Sequence, residues 1–231
     1  MTEPPRIEVT VAAPADAVWD ALRDKEKIRH WHGWDYDGPS GLDGEIDEIY
    51  FTEFTEDASA RRLELGNGDV FQVEPDGAGA KVTLTRAPLG ANPDWDAYYD
   101  DITEGWTTFL HQLRFALERE PGERRTVFLS GHTTATGPVA DELGLAGVRS
   151  PYAVNLVGED VTGEVWFRSE HQLGVTVDGW GLLIVAYTAP SEAKPKGSAM
   201  AVLSTYGLDD AVYADLETRW RDWWTPRYPA D

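Results

Sequence analysis

A chain of 231 residues, 42% of them hydrophobic, has the material for a packed core and a length that suits one large domain or two small ones. The 20 Lys and Arg against 41 Asp and Glu leave a net charge of −21, which repels phosphate backbones and anionic headgroups and so argues against nucleic acid and membrane surfaces as partners. With no cysteine, disulfides, thiolate catalysis and cysteine-ligated metal centres are excluded. The opening Met1-Thr2-Glu3-Pro4-Pro5 lacks the basic and apolar runs of a signal peptide, and the longest apolar run, Gly181–Tyr187, is too short to span a bilayer. A cytoplasmic protein without membrane insertion is therefore expected.

In chain order, Ile7, Val9 and Val11 alternate with polar residues and predict a half-buried strand over Arg6–Ala12. Pro14 presets the backbone for a helix start and Asp16 suits its first turn, so a short helix carrying Val18, Trp19 and Leu22 should follow. A second short helix is expected over Asp24–Trp31, and Pro39, Gly41 and Gly44 read as loop. Strands are expected at Glu45–Phe54, Ala60–Leu65, Asp69–Val73 and Lys81–Thr85, with Gly66-Asn67-Gly68 and Pro75–Gly79 as hairpin turns, which makes an antiparallel meander. From Asp94 the strongest helix of the chain begins: Trp95, Tyr98, Tyr99, Ile102, Trp106, Phe109, Leu110, Leu113 and Leu117 recur at three- and four-residue steps until Pro121-Gly122.

The charged stretch Glu118–Arg125 reads as a boundary, giving two units, 1–121 and 122–231. The second unit repeats the plan more loosely. It has a strand at Thr126–Ser130, a short helix at Val139–Leu145, strands at Glu164–Arg168, Leu173–Val177, Trp180–Thr188 and Ala199–Thr205, and a helix from Leu208 that stops at Pro226. It is expected to be either a degenerate copy of the first or an α+β extension.

Strand, two short helices, antiparallel meander and long C-terminal helix together resemble the START-like (SRPBCC) superfamily, which includes the birch-pollen-allergen fold. Within it the chain is similar to the bacterial family named for the activator of heat-shock protein 90 ATPase. The residues that carry the likeness are Ile7–Leu22, Ile28-Arg29-His30-Trp31, and Glu104-Gly105-Trp106 with Leu110 and Leu113. The resemblance implies an α+β helix-grip fold, a curved antiparallel sheet around the C-terminal helix with an apolar cavity between them. It also implies a chaperone partner through the family's name. The acidic Glu45–Phe51, where that family has an aromatic-rich second strand, and the extra second half depart from the common single-domain form.

In such a cavity Trp31 and Trp34 would stand at the mouth, Phe71 would come from the sheet, and Tyr98, Ile102, Trp106 and Phe109 from the long helix; equally, an aromatic stripe at helical spacing can simply pack a core. His30 and His32, two apart, do not share a helix face, and no third ligand follows at metal spacing, so no metal site and no cofactor are expected. Asp94, Asp96, Asp100 and Asp101 lack the loop spacing and turn glycine of a calcium site. Ser130-Gly131-His132 lacks a nucleophile elbow, and neither Gly66-Asn67-Gly68 nor Gly77-Ala78-Gly79 is followed by the lysine and helix of a phosphate loop. His111, in register with Thr107 and Arg114, should lie on the surface.

Three functions stay open. The leading one is binding of a small apolar molecule or lipid, with a link to stress or secondary metabolism. The second is a cyclase or dehydratase of the polyketide type, as found on this fold, with His30 or His32 as base and Tyr98 or Tyr99 as donor. The third is a protein-interaction module acting through the acidic surface. The oligomeric state is not legible in the sequence.

Overall fold

The computed structural model describes residues 4–36, 38, 40–91, 98–119, 121–133, 136–192 and 194–230. Two compact units divide it, Met1–Glu120 and Pro121–Asp231.

In the first unit, β1 (Arg6–Val11) leads through α1 (Ala15–Arg23) and α2 (Lys25–Arg29). Pro14 occupies the N-cap of α1, and the Asp24 carboxylate accepts the Lys27 N–H to start α2. Next come α3 (Gly41–Asp47), which runs into a π-helical turn over Glu48–Thr52, then β2 (Phe54–Asp57), β3 (Arg62–Leu65), β4 (Val70–Asp76), β5 (Gly79–Thr85) and the 21-residue α4 (Tyr99–Arg119). The strands form one antiparallel sheet in the order β1-β5-β4-β3-β2, so the first strand closes against the last. One face of that sheet is covered by helix: α4 packs on β1, and α1 on β4 and β5. Val9, Val11, Leu63, Phe71, Val82 and Leu84 bury there against Val18, Leu22, Leu110 and Leu113.

The strand expected at Glu45–Phe54 is not formed. Leu42, Ile46 and Tyr50 are buried at steps of four, a helical stripe, and the segment coils through α3 and the π turn before β2 begins at Phe54. The apparent alternation of Ile49 and Phe51 came from a helix read with the wrong period, and the loop expected around Gly41 and Gly44 is its first turn. The helix start expected at Asp94, with Trp95 and Asp96, falls outside the described residues.

The second unit starts with β6 (Arg124–Gly131) and the one-turn α5 (Val139–Glu142). Then follow β7 (Tyr152–Leu156), β8 (Glu159–Gly163), β9 (Val165–Arg168), β10 (Gln172–Val177), β11 (Gly181–Thr188), β12 (Ser198–Tyr206) and α6 (Asp210–Trp224). Its main sheet runs β6-β12-β11-β10-β9 and is antiparallel throughout. Numbered within each unit, both sheets have the order first, last, and then backwards to second, and both units close with a helix on the core. The main sheet of the second half thus repeats the strand order of the first. Between the first strand and the rest of the main sheet it has the one-turn α5 and a separate β7–β8 hairpin, which the sequence reading did not contain, where the first unit has α1, α2 and α3. Each unit has the helix-grip plan.

Candidate functional site

The most chemically distinctive site lies in the first unit, where the segment after α2, the π turn after α3 and α4 bring aromatic residues together over the sheet. His32, two residues past the α2 cap at His30, is completely buried. Its Nδ1 lies 3.0 Å from the Tyr50 hydroxyl and its Nε2 3.2 Å from Glu45 Oε1. A carboxylate only accepts, so Nε2 carries the proton and donates to Glu45. In the neutral ring Nδ1 then accepts from the Tyr50 hydroxyl. The result is a directional chain, phenol to imidazole to carboxylate. Tyr50 is wholly buried, and that burial, followed by the charges of Glu45 and Asp69, holds its phenol well above the ordinary range and keeps its proton on. Glu45, with its side chain 35% exposed, is the end of the chain that reaches solvent.

Aromatic rings enclose the imidazole. Phe109 lies 4.6 Å from it, Tyr50 5.2 Å, Trp31 5.8 Å and Trp106 5.8 Å. Trp34 stacks obliquely on Phe109 at 5.6 Å, and both are only half-buried. Tyr36 stands further out, 44% exposed; its hydroxyl donates to the Gly41 carbonyl at 3.0 Å, and its phenol is raised by desolvation first and then by the nearby Glu45.

Several expected roles change. Trp31 is not at a mouth: it is completely buried, its indole N–H donates to the Ala21 carbonyl at 2.8 Å, and Gln112 of α4 donates to its own carbonyl at 3.0 Å. Phe71 and Trp106 meet edge to face at 5.4 Å in the core, and Ile102 packs beside them half-buried. Tyr98 stands 57% exposed, because it precedes the first turn of α4 and not its packed stripe. Tyr99 is spent on structure, donating to the Ala87 carbonyl at 2.6 Å. His30 is half-buried at the end of α2, and it is His32 that joins Tyr50 and Glu45. His111 is not a surface residue either. Thr108 and Phe115, on its side of α4, are buried, and burial, then Arg114, pushes the half-buried imidazole down to about 3.

A second buried polar group escaped the sequence reading. Asp69, fully buried, accepts from Arg86 Nε at 3.0 Å, the Ala87 N–H at 2.8 Å, the Trp106 indole at 3.0 Å and the Asn67 amide at 3.1 Å. Arg86 also donates to Thr103 Oγ1 at 2.7 Å and lies over the Tyr99 ring. Every acceptor direction of the carboxylate is used, so this cluster clamps the start of α4 to the β4–β5 pair and leaves nothing over for chemistry. The sequence did carry one signal: in the hairpin register Val70 faces Thr85, so Asp69 and Arg86 are the next facing pair. Among the described residues no group of three His, Asp or Glu is placed to hold a metal ion.

No protein-family model matches the chain, and no curated protein matches it. Solved structures do. DynU16, a protein of the dynemicin biosynthetic locus, is 19% identical at a TM-score of 0.36, covering 97% of this chain and 96% of its own. BexL, the di-domain ARO/CYC from the BE-7585A biosynthetic pathway, is 15% identical at 0.35, covering 98% of this chain and 93% of its own. The Aha1 dimer protein of Colwellia psychrerythraea is 16% identical at 0.39, covering 53% of this chain and 100% of its own. At such scores the fold assignment rests on the strand order and helix placement of each unit. Those features are a helix-grip plan. No helix among the described residues is long and apolar enough to cross a membrane.

Proposed function

We propose that the first unit binds a small, largely apolar molecule at the partly exposed face where Trp34, Phe109, Tyr36 and Glu45 lie. The observation that carries this reading is the buried imidazole of His32, hydrogen-bonded at both nitrogens inside a ring of aromatics and joined to solvent through Glu45. A core built for stability alone is at least as stable with apolar residues in place of such a chain, since desolvating three polar groups costs what their hydrogen bonds return. Half-buried Trp34 and Phe109 offer flat apolar area beside it. The test is titration of intrinsic tryptophan fluorescence with neutral aromatic compounds from two to four fused rings. Saturable change in the wild type, weakened by about tenfold or more in Trp34→Ala, is expected from loss of one aromatic contact. Absence of saturable change across the whole panel would overturn the reading.

Tyr98 and Tyr99 are placed elsewhere. The hydrogen-bonded chain favours one further reading, general acid–base chemistry of the cyclase or dehydratase kind at its solvent-reaching end, Glu45, with the buried His32 and Tyr50 holding that carboxylate in line. It predicts that Glu45→Gln abolishes turnover of an enolisable polycyclic substrate while ligand binding survives; unchanged turnover removes it.

A further inference from the structure

α3 carries three carboxylates in five residues, Asp43, Glu45 and Asp47, and their partners differ. Arg29 of α2 pairs with Asp43 and Lys25 with Asp47. Glu45, on the other side of the helix, accepts from the His32 imidazole and lies near the phenol of Tyr36, and among the described residues no Lys or Arg forms an ion pair with it. Glu48, exposed one turn on, adds negative charge beside the same phenol. A partly exposed carboxylate without an ammonium or guanidinium partner can still take one, and Tyr36, 44% exposed, lies near it, with half-buried Trp34 and Phe109 on the same imidazole cluster.

From this juxtaposition we infer that the molecule bound at the Trp34–Phe109 face carries a protonated or quaternary amine, which Glu45 pairs with and the flanking aromatic rings receive. A carboxylate attracts an ammonium at short range, and aromatic faces add a cation–π contribution that grows as water is excluded. A ligand with a carboxylate in that place would meet Glu45 and Glu48 as like charges. The inference rests on the binding reading above and narrows its ligand class.

The experiment uses three matched compounds, naphthylmethanol, naphthylmethylammonium and naphthoate, titrated into the full chain at about 0.15 M salt, where long-range attraction to the net charge is largely screened. The ammonium compound is expected to bind about tenfold more tightly than the alcohol, and the carboxylate more weakly than either. Glu45→Gln keeps an acceptor for His32 Nε2–H, and should bring the ammonium compound to the affinity of the alcohol while leaving the alcohol unchanged. Glu217→Gln, which removes the same charge from α6 of the other unit, should leave the order intact. In the wild type alone, a preference that persists at about 0.5 M salt marks a contact and not the overall field, a readout that needs no variant to fold. Failure of all three compounds to bind overturns the binding reading itself. Binding of the alcohol with no ammonium preference, or a preference that survives Glu45→Gln, overturns this inference alone.

Discussion

Single residues in this chain are held by how completely their polar atoms are matched. Tyr50→Phe removes the donor to His32 Nδ1 and leaves a buried nitrogen without its partner, so stability should fall by about 1–3 kcal/mol, measured as a lower urea midpoint with unchanged slope. Asp69→Asn has a larger expected effect, about 3–5 kcal/mol, because it strands the Arg86 charge, which is 6% exposed. His111 gives a pH dependence of definite sign. Its folded pKa is depressed from 6.5 to about 3, so the unfolded chain binds a proton that the folded one refuses. The contribution is intact above about pH 6.5 and is lost as pH falls towards 3, by up to about 1.4 kcal/mol per unit. Denaturation midpoints followed between those limits should flatten in His111→Gln relative to the wild type; parallel curves would assign the acid sensitivity to the carboxylates.

At the scale of elements, caps and periods account for where the helices run. The Asp209 carboxylate accepts the Val212 N–H at 2.9 Å and starts α6, so Asp209→Ala should cost about 1 kcal/mol in thermal or urea unfolding. The elements legible in advance were those with one dominant signal: β1 from Ile7, Val9 and Val11, the β4–β5 hairpin from its glycine turn, and α4 from its long stripe. The segment Glu45–Thr52 was misread because Ile46, Ile49, Tyr50 and Phe51 satisfy both periods over so short a span, and only packing against Leu42 and the aromatic cluster selects the helix. The β7–β8 hairpin was missed for a different reason. Tyr152, Val154 and Leu156 do alternate with exposed Ala153 and Asn155, but each strand is only five residues long, and Val157 takes a left-handed φ of 50° at the tip, a conformation no sequence rule assigns to valine.

For the whole molecule the decisive quantity is a net charge of −21 on a chain that holds two cores. Self-repulsion of that size destabilises the compact state and is screened by salt, so the melting temperature should rise between about 0.02 and 0.2 M sodium chloride. The Asp69–Arg86 pair, out of reach of counterions, should contribute the same at both ends of that range. Comparing the Asp69→Asn loss at low and high salt checks this, and a salt-dependent difference would mean that water reaches the pair.

Composition and periodicity determined the net charge, the absence of thiol chemistry, the antiparallel meander and the two closing helices, because charge, counts and residue spacing are properties of the chain itself. The site was different. His32 and the aromatic residues of α4 could be named from their types, but which histidine mattered, and with what, depended on α3 folding Glu45 and Tyr50 back across it from 13 and 18 residues away. Asp69 and Arg86 likewise became a pair only when the hairpin register set them opposite each other and α4 brought Trp106 and Thr103 to complete the cluster. Hydrogen bonds between distant segments are strong only once water is excluded, and that exclusion is made by tertiary packing.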